Sequence, residues 1–128
     1  MKKITAKTKG DVGEKYTEKY LKKHGCKILE KNYQRPYGEI DIIADDGTNI
    51  LFVEVKTRHF NPMTKGYEAV DWRKIKRIVK TASYYLTEKK LDRYCRFDVA
   101  EVFINRDTLK PIEIKYTENA FDGGGYYF

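Results

Sequence analysis

The sequence predicts one α/β domain: a mixed central sheet flanked by helices. Three observations predict it. The chain has 128 residues, 41% hydrophobic and 14% aromatic, which is enough for one domain with its own core. Two β-rich runs, residues 39–45 and 49–57, stand on either side of Asp46-Gly47, a strong hairpin signal. Stretches of helical period lie before and after that hairpin, and they would cover its faces.

The elements follow in order. Val12, Tyr16 and Tyr20 repeat every four residues, which predicts a helix over 9–24 with Gly25 as its stop. A strand is expected over 27–33, and Pro36 marks a break. The hairpin comes next. A polar loop with Pro62 and Gly66 spans 59–67. Ile75, Ile78, Val79, Ala82 and Leu86 then form the apolar stripe of a helix over 69–90. Strands over 95–104 and 112–116 close the order α-β-β-β-α-β-β. The domain is expected over 1–121, with a Gly/Tyr-rich tail over 122–128.

Charge narrows the partners. There are 26 Lys+Arg against 19 Asp+Glu, a formal charge of +7 and a pI near 9.3. Such a balance favours an anionic partner, nucleic acid first. Cys26 and Cys95 are the only cysteines, as expected of free thiols in a reducing compartment. The longest apolar run, 50–53, is far short of the roughly 20 residues of a spanning helix. The N-terminal residues are basic but lack an apolar segment behind them. A cytoplasmic protein without membrane contact is expected.

The hairpin carries the chemistry. Side chains alternate along a strand, so Phe52, Glu54, Lys56 and Arg58 share one face. A two-residue loop pairs Asp45 with Thr48, setting Asp41 opposite Phe52 and Glu39 opposite Glu54. A four-residue loop keeps that parity, and a three-residue loop reverses it. With parity kept, Asp41, Glu54 and Lys56 lie together. Two carboxylates at this spacing can hold a hard cation such as magnesium. The ion activates water and neutralises phosphoryl charge, and a lysine beside it orients that water or stabilises the transition state. These are the parts of a phosphodiester-cleaving site. An exposed sheet face also carries Glu and Lys as solvent contacts, and from the pattern alone both readings stay open.

The run Gly38-Glu-Ile-Asp-Ile-Ile-Ala44, followed by Phe52-Val-Glu-Val-Lys-Thr-Arg58, resembles the YraN family of uncharacterised bacterial proteins. That family is placed in the PD-(D/E)XK nuclease superfamily and is similar to archaeal Holliday-junction resolvases. Further matches run along the chain: Gly10-x-x-Gly13-Glu14, Tyr20-Leu21-x-x-x-Gly25, Asn32-Tyr33, Glu68-Ala69-Val70, Lys74, Ala82 with Tyr85-Leu86, Arg96-Phe97-Asp98-Val99 and Asn119-Ala120-Phe121. The resemblance implies a restriction-endonuclease-like α-β-β-β-α-β core. It implies that Asp41 is the metal-binding aspartate and that Glu54 and Lys56 are the (D/E)-x-K pair. Glu14 would be the helical glutamate that completes the site. Two features depart from the superfamily pattern. No proline precedes Asp41, and the Gln-x-x-x-Tyr helix motif of some relatives is missing, with Lys74 and Arg77 on that helix instead.

The expected function is therefore a magnesium- or manganese-dependent endonuclease acting on DNA, branched or junction DNA included. Asp41, Glu54, the Val55 carbonyl and Glu14 would hold the metal, and Lys56 would position water. Arg58, Lys65, Lys74 and Arg77 are the expected phosphate contacts, with Tyr67 stacking beside Lys65. Arg58 has a second reading, neutralising Glu39 or Glu54. Glu39 is expected just outside the metal ligands, with a second metal ligand and a plain sheet charge as its other readings. Asp98 is expected in a structural salt bridge, and no His or Cys spacing suggests zinc. Resolvase-like relatives act as dimers, which makes a homodimer the implied assembly. The alternative is a nucleic-acid-binding module of this fold with little or no cleavage.

Overall fold

The structure is a computed structural model that describes residues 6–61 and 71–122. The expected contacts Lys65 and Tyr67, the helix start at Ala69 and the tail beyond Asp122 lie outside these residues. Seven elements occur in the expected order. They are α1 (Ala6–Lys23), β1 (Lys27–Arg35), β2 (Gly38–Asp45), β3 (Ile50–His59), α2 (Trp72–Glu88), β4 (Cys95–Ile104) and β5 (Pro111–Phe121). The strands form one mixed sheet in the order β1-β2-β3-β4-β5. Only β3 and β4 run parallel, because α2 carries the chain back between them.

Each face of the sheet has its own core. On one face Ile43, Ile50, Phe52 and Phe97 pack under Ile78, Val79, Ala82, Tyr85 and Leu86 of α2. On the other, Ile42, Ala44, Leu51, Val53 and Ala100 pack under Leu21 of α1. The first half of β3 is apolar on both faces. Leu51, Phe52 and Val53 are all buried, because a central strand beside a parallel neighbour is covered on both sides.

The stripe expected on the first helix shifts by one residue. Gly13, Thr17 and Leu21 are the buried line, while Val12, Tyr16 and Tyr20 are half-buried. Tyrosines keep their hydroxyls near water, and the small residues beside them let the helix approach the sheet. A side chain at Gly13 would collide with the Thr57 hydroxyl of β3. Thr17 satisfies its own hydroxyl by donating to the Gly13 carbonyl at 2.8 Å.

The last strand is longer than expected. β5 runs to Phe121, anchored by the buried Asp98 carboxylate. That group accepts from Arg96 through both oxygens at 2.9 Å, from the Tyr116 hydroxyl at 2.6 Å and from the Asn119 amide at 2.9 Å. This is the structural salt bridge anticipated for Asp98. Four such bonds satisfy a charge that burial alone would not tolerate.

Candidate active site

β3 passes out of the core at Glu54. Residues from Ile50 to Glu54 are buried, and those from Val55 to His59 are half-buried. A charged pair at this point can be held rigidly at one end and reached by solvent at the other. The hairpin supplies the partner acid. Asp45 pairs with Ile50 and Ile42 with Val53, so the loop spans four residues. Of the two loops that keep parity, the longer one forms. Asp46 selects it, its carboxylate accepting from the Thr48 and Asn49 amides at 2.8 and 2.6 Å. Continued by one pair, the register sets Asp41 opposite Glu54.

Asp41 is the most perturbed acid of the centre. Its Oδ2 accepts from the Val55 amide at 2.8 Å, which ties the two strands just where the ladder ends. Burial and then the charge of Glu54 push its carboxyl up to about 7, and Glu14 and Glu39 add to the rise. The Val55 bond opposes them but does not prevail. The charged form is disfavoured because it loses water and faces like charges. Glu14 reaches this cluster from α1. Its carboxyl is also raised, by burial, then by Asp11 and Glu39. The close approach at Gly13 is what brings the neighbouring Glu14 down to the sheet.

Lys74 of α2 forms an ion pair with Glu54. Burial would lower its ammonium, but the hydrogen bond and charge of Glu54, with Asp41 and Glu39 behind, hold it above its ordinary value. The residue anticipated as a phosphate contact is thus a member of the carboxylate cluster. Lys56 follows Glu54 on the same side of β3, with Glu101 of β4 beside it in register.

Glu101 was not singled out in the sequence. It is 1% exposed, and its oxygens find no hydrogen-bond donor among the described residues. Arg58 lies beside it, with Nε 3.4 Å from Oε2. An acid inside the apolar run Val99-Ala-Glu-Val-Phe103 was the available signal; its strand neighbour was not. Arg77 is in no ion pair with these acids among the described residues. It lines a groove beside the cluster together with Lys74 and Glu39.

The cluster fits a hard cation in its donor chemistry, since its acids offer oxygen and no His or Cys intrudes. The Val55 amide engages one Asp41 oxygen, Oδ2, and Lys74 engages one Glu54 oxygen, Oε1. Among the described residues no group of three or more acidic, His or Cys side chains is placed to hold a metal ion, so the acids here offer a pair rather than a full ligand set. Two carboxylates suit an ion such as magnesium, which keeps several waters.

Comparison with known proteins adds the lineage. The model of the uncharacterised protein family UPF0102 matches residues 13–102, a span that holds Glu14, Asp41, Glu54 and Lys56. A UPF0102 protein of Caldanaerobacter subterraneus subsp. tengcongensis is 45% identical over 122 residues, covering 94% of this chain and 100% of its own. Another, from Clostridium acetobutylicum, is 46% identical over 116 residues, covering 90% and 94%. One from Fusobacterium nucleatum is 50% identical over 92 residues, covering 69% and 77%. Among solved structures, Pyrococcus furiosus SfsA in complex with Ca2+ aligns with a TM-score of 0.41 at 15% identity. That alignment covers 90% of this chain and 64% of SfsA, so the chain spans just under two thirds of that protein's length.

Proposed function

The chain belongs to the uncharacterised protein family UPF0102, and from this premise we propose that it is a metal-dependent endonuclease hydrolysing phosphodiester bonds in DNA, branched DNA included. One observation carries the reading. Asp41 is held, half-buried, against Glu54, Glu14 and Glu39, an arrangement that raises its carboxyl to about 7. Like charges gathered out of water destabilise a fold unless a ligand offsets them.

Asp41 and Glu54, with the Val55 carbonyl, are the groups that would hold magnesium or manganese, and Glu14 would complete the site only by drawing closer from α1. Such an ion supplies an activated water and neutralises charge on the scissile phosphate. The Val55 amide fixes the Asp41 carboxylate so that its second oxygen keeps one orientation. Lys56, two residues beyond Glu54 on the same face, orients the attacking water and stabilises negative charge on the phosphate. Arg58 and Arg77 offer guanidinium groups to flanking phosphates.

Cleavage of branched and linear DNA with Mg2+ or Mn2+ tests this. Glu54→Gln and Lys56→Ala are each expected to lower the rate by roughly 10²–10⁴-fold with the fold intact by circular dichroism. Cleavage at the native rate in both variants would overturn the assignment.

A second reading, a binding module without cleavage, draws on Lys74. Its ammonium already neutralises Glu54, as a centre that takes no metal would require. DNA binding in EDTA, together with no cleavage under any divalent cation, would select that reading.

A further inference from the structure

An open groove of about 1210 Å³ lies between the turn joining β1 to β2 and the first half of α2. Small-molecule pockets run to roughly 300–1,000 Å³, so its size suits a polymer rather than a compact ligand. Its lining holds six basic side chains and one acid, Glu39. Two of the bases are committed, Lys74 to Glu54 and Arg35 to Glu88. Arg73, Arg77 and Lys80 have no acidic partner among the described residues. Two rings join them. Trp72 is 61% exposed, with the Arg73 guanidinium 5.6 Å from its centroid. Tyr37 stands opposite, with the Lys80 ammonium 5.1 Å from its ring.

Positive charge alone would fit any polyanion. The rings add a requirement for flat aromatic faces. In a duplex those faces are stacked inside and lie out of reach of a groove wall, whereas an unpaired strand presents them. Glu39 and Lys74 belong both to the groove and to the acidic cluster, so a strand lying in the groove ends at the carboxylates.

We propose that this groove binds an unpaired strand of nucleic acid, with a base stacked on Trp72 and the flanking phosphates on Arg73, Arg77 and Lys80. The proposal rests on the nuclease reading for its link to cleavage. It names the substrate as a strand with unpaired nucleotides next to the scissile bond. The binding itself is independent of chemistry.

Trp72 is the only tryptophan of the chain, so its emission reports the groove directly. The native protein is titrated in EDTA with oligothymidylate and oligouridylate of about 15 nucleotides, the upper range of one single-strand site. A duplex of the same length and polyglutamate are titrated in parallel. Quenching of Trp72 by either single strand, with affinity about tenfold or more above the duplex, bears the proposal out. The tighter of the two strands identifies the sugar. Trp72→Ala is expected to weaken single-strand binding about tenfold, read by anisotropy of a labelled strand. Arg77→Glu with Lys80→Glu should weaken it further. Equal affinity for duplex or polyglutamate, or binding with unchanged Trp72 emission, overturns the proposal. The two readings fail separately. Quenching without cleavage under any metal sinks the nuclease and leaves the groove. Cleavage with Trp72 unmoved does the reverse.

Discussion

Asp41 shows how one residue links chemistry to stability. Its carboxyl rises from an ordinary 3.8 to about 7 in the folded chain. Below pH 3.8 it is protonated in both states and has no effect. Between those values the folded chain keeps a proton that the unfolded chain has lost, so stability falls as pH rises; above about 7 the full penalty remains. Asp41→Asn keeps an acceptor for the Val55 amide and carries no charge. It is expected to raise stability at pH 8 by about 1–3 kcal/mol and to change it little at pH 4. Urea unfolding at both values, in EDTA, measures this, and a variant no more stable at pH 8 would contradict the buried charge. Alternation put Glu54 and Lys56 on one face of β3, and Asp41 joins them because the four-residue loop keeps parity. The sequence did not pair Lys74 with Glu54, because that contact joins a helix and a strand that are distant in the chain. Glu101 escaped notice for the same reason. Its neighbours Lys56 and Arg58 lie across the parallel β3–β4 ladder, and no local rule sets that register.

At the scale of elements, α1 is placed by what it lacks. Gly13 lets the helix backbone meet Thr57, and that approach carries Glu14 to the acids. Gly13→Ala would drive a methyl group into the Thr57 hydroxyl. It is expected to cost about 1–3 kcal/mol. Combining it with Thr57→Ala should restore much of the loss, since the two changes share one contact. Thermal or urea unfolding of the single and double variants reads this, and strict additivity would rule the contact out. Helical period identified α1 correctly but centred its buried stripe on the tyrosines. Hydrophobicity marks large apolar residues, whereas close packing against a sheet selects small ones. The hairpin was better specified. Asp46-Gly47 marks the turn, but the bonds from Asp46 to the Thr48 and Asn49 amides decide its length.

Across the whole molecule, a charge of +7 is unevenly spread. Acids gather where β2, β3 and α1 converge, while bases line the groove along α2. Such a surface attracts phosphates broadly and presents negative charge at one place. If Arg73, Arg77 and Lys80 each neutralise one phosphate of a single strand, log K against log salt should fall with a slope of about −2. Arg77→Glu with Lys80→Glu should bring that slope to about −0.7 or shallower. Anisotropy titrations from low to moderate salt provide the check, and an unchanged slope would place the phosphates elsewhere.

The sequence by itself determined the order of elements, the hairpin, the shared face of Glu54 and Lys56, and the family. All of these rest on short-range periodicity or on residues in a fixed linear pattern. Tertiary structure decided the rest: that both faces of β3 are buried, that Glu14 reaches the sheet past Gly13, that Lys74 meets Glu54, and that Trp72 and Tyr37 flank a basic groove. These contacts join residues far apart in the chain. Their geometry follows from how two helices pack on opposite faces of one twisted sheet, a property of the assembled core that no local segment encodes.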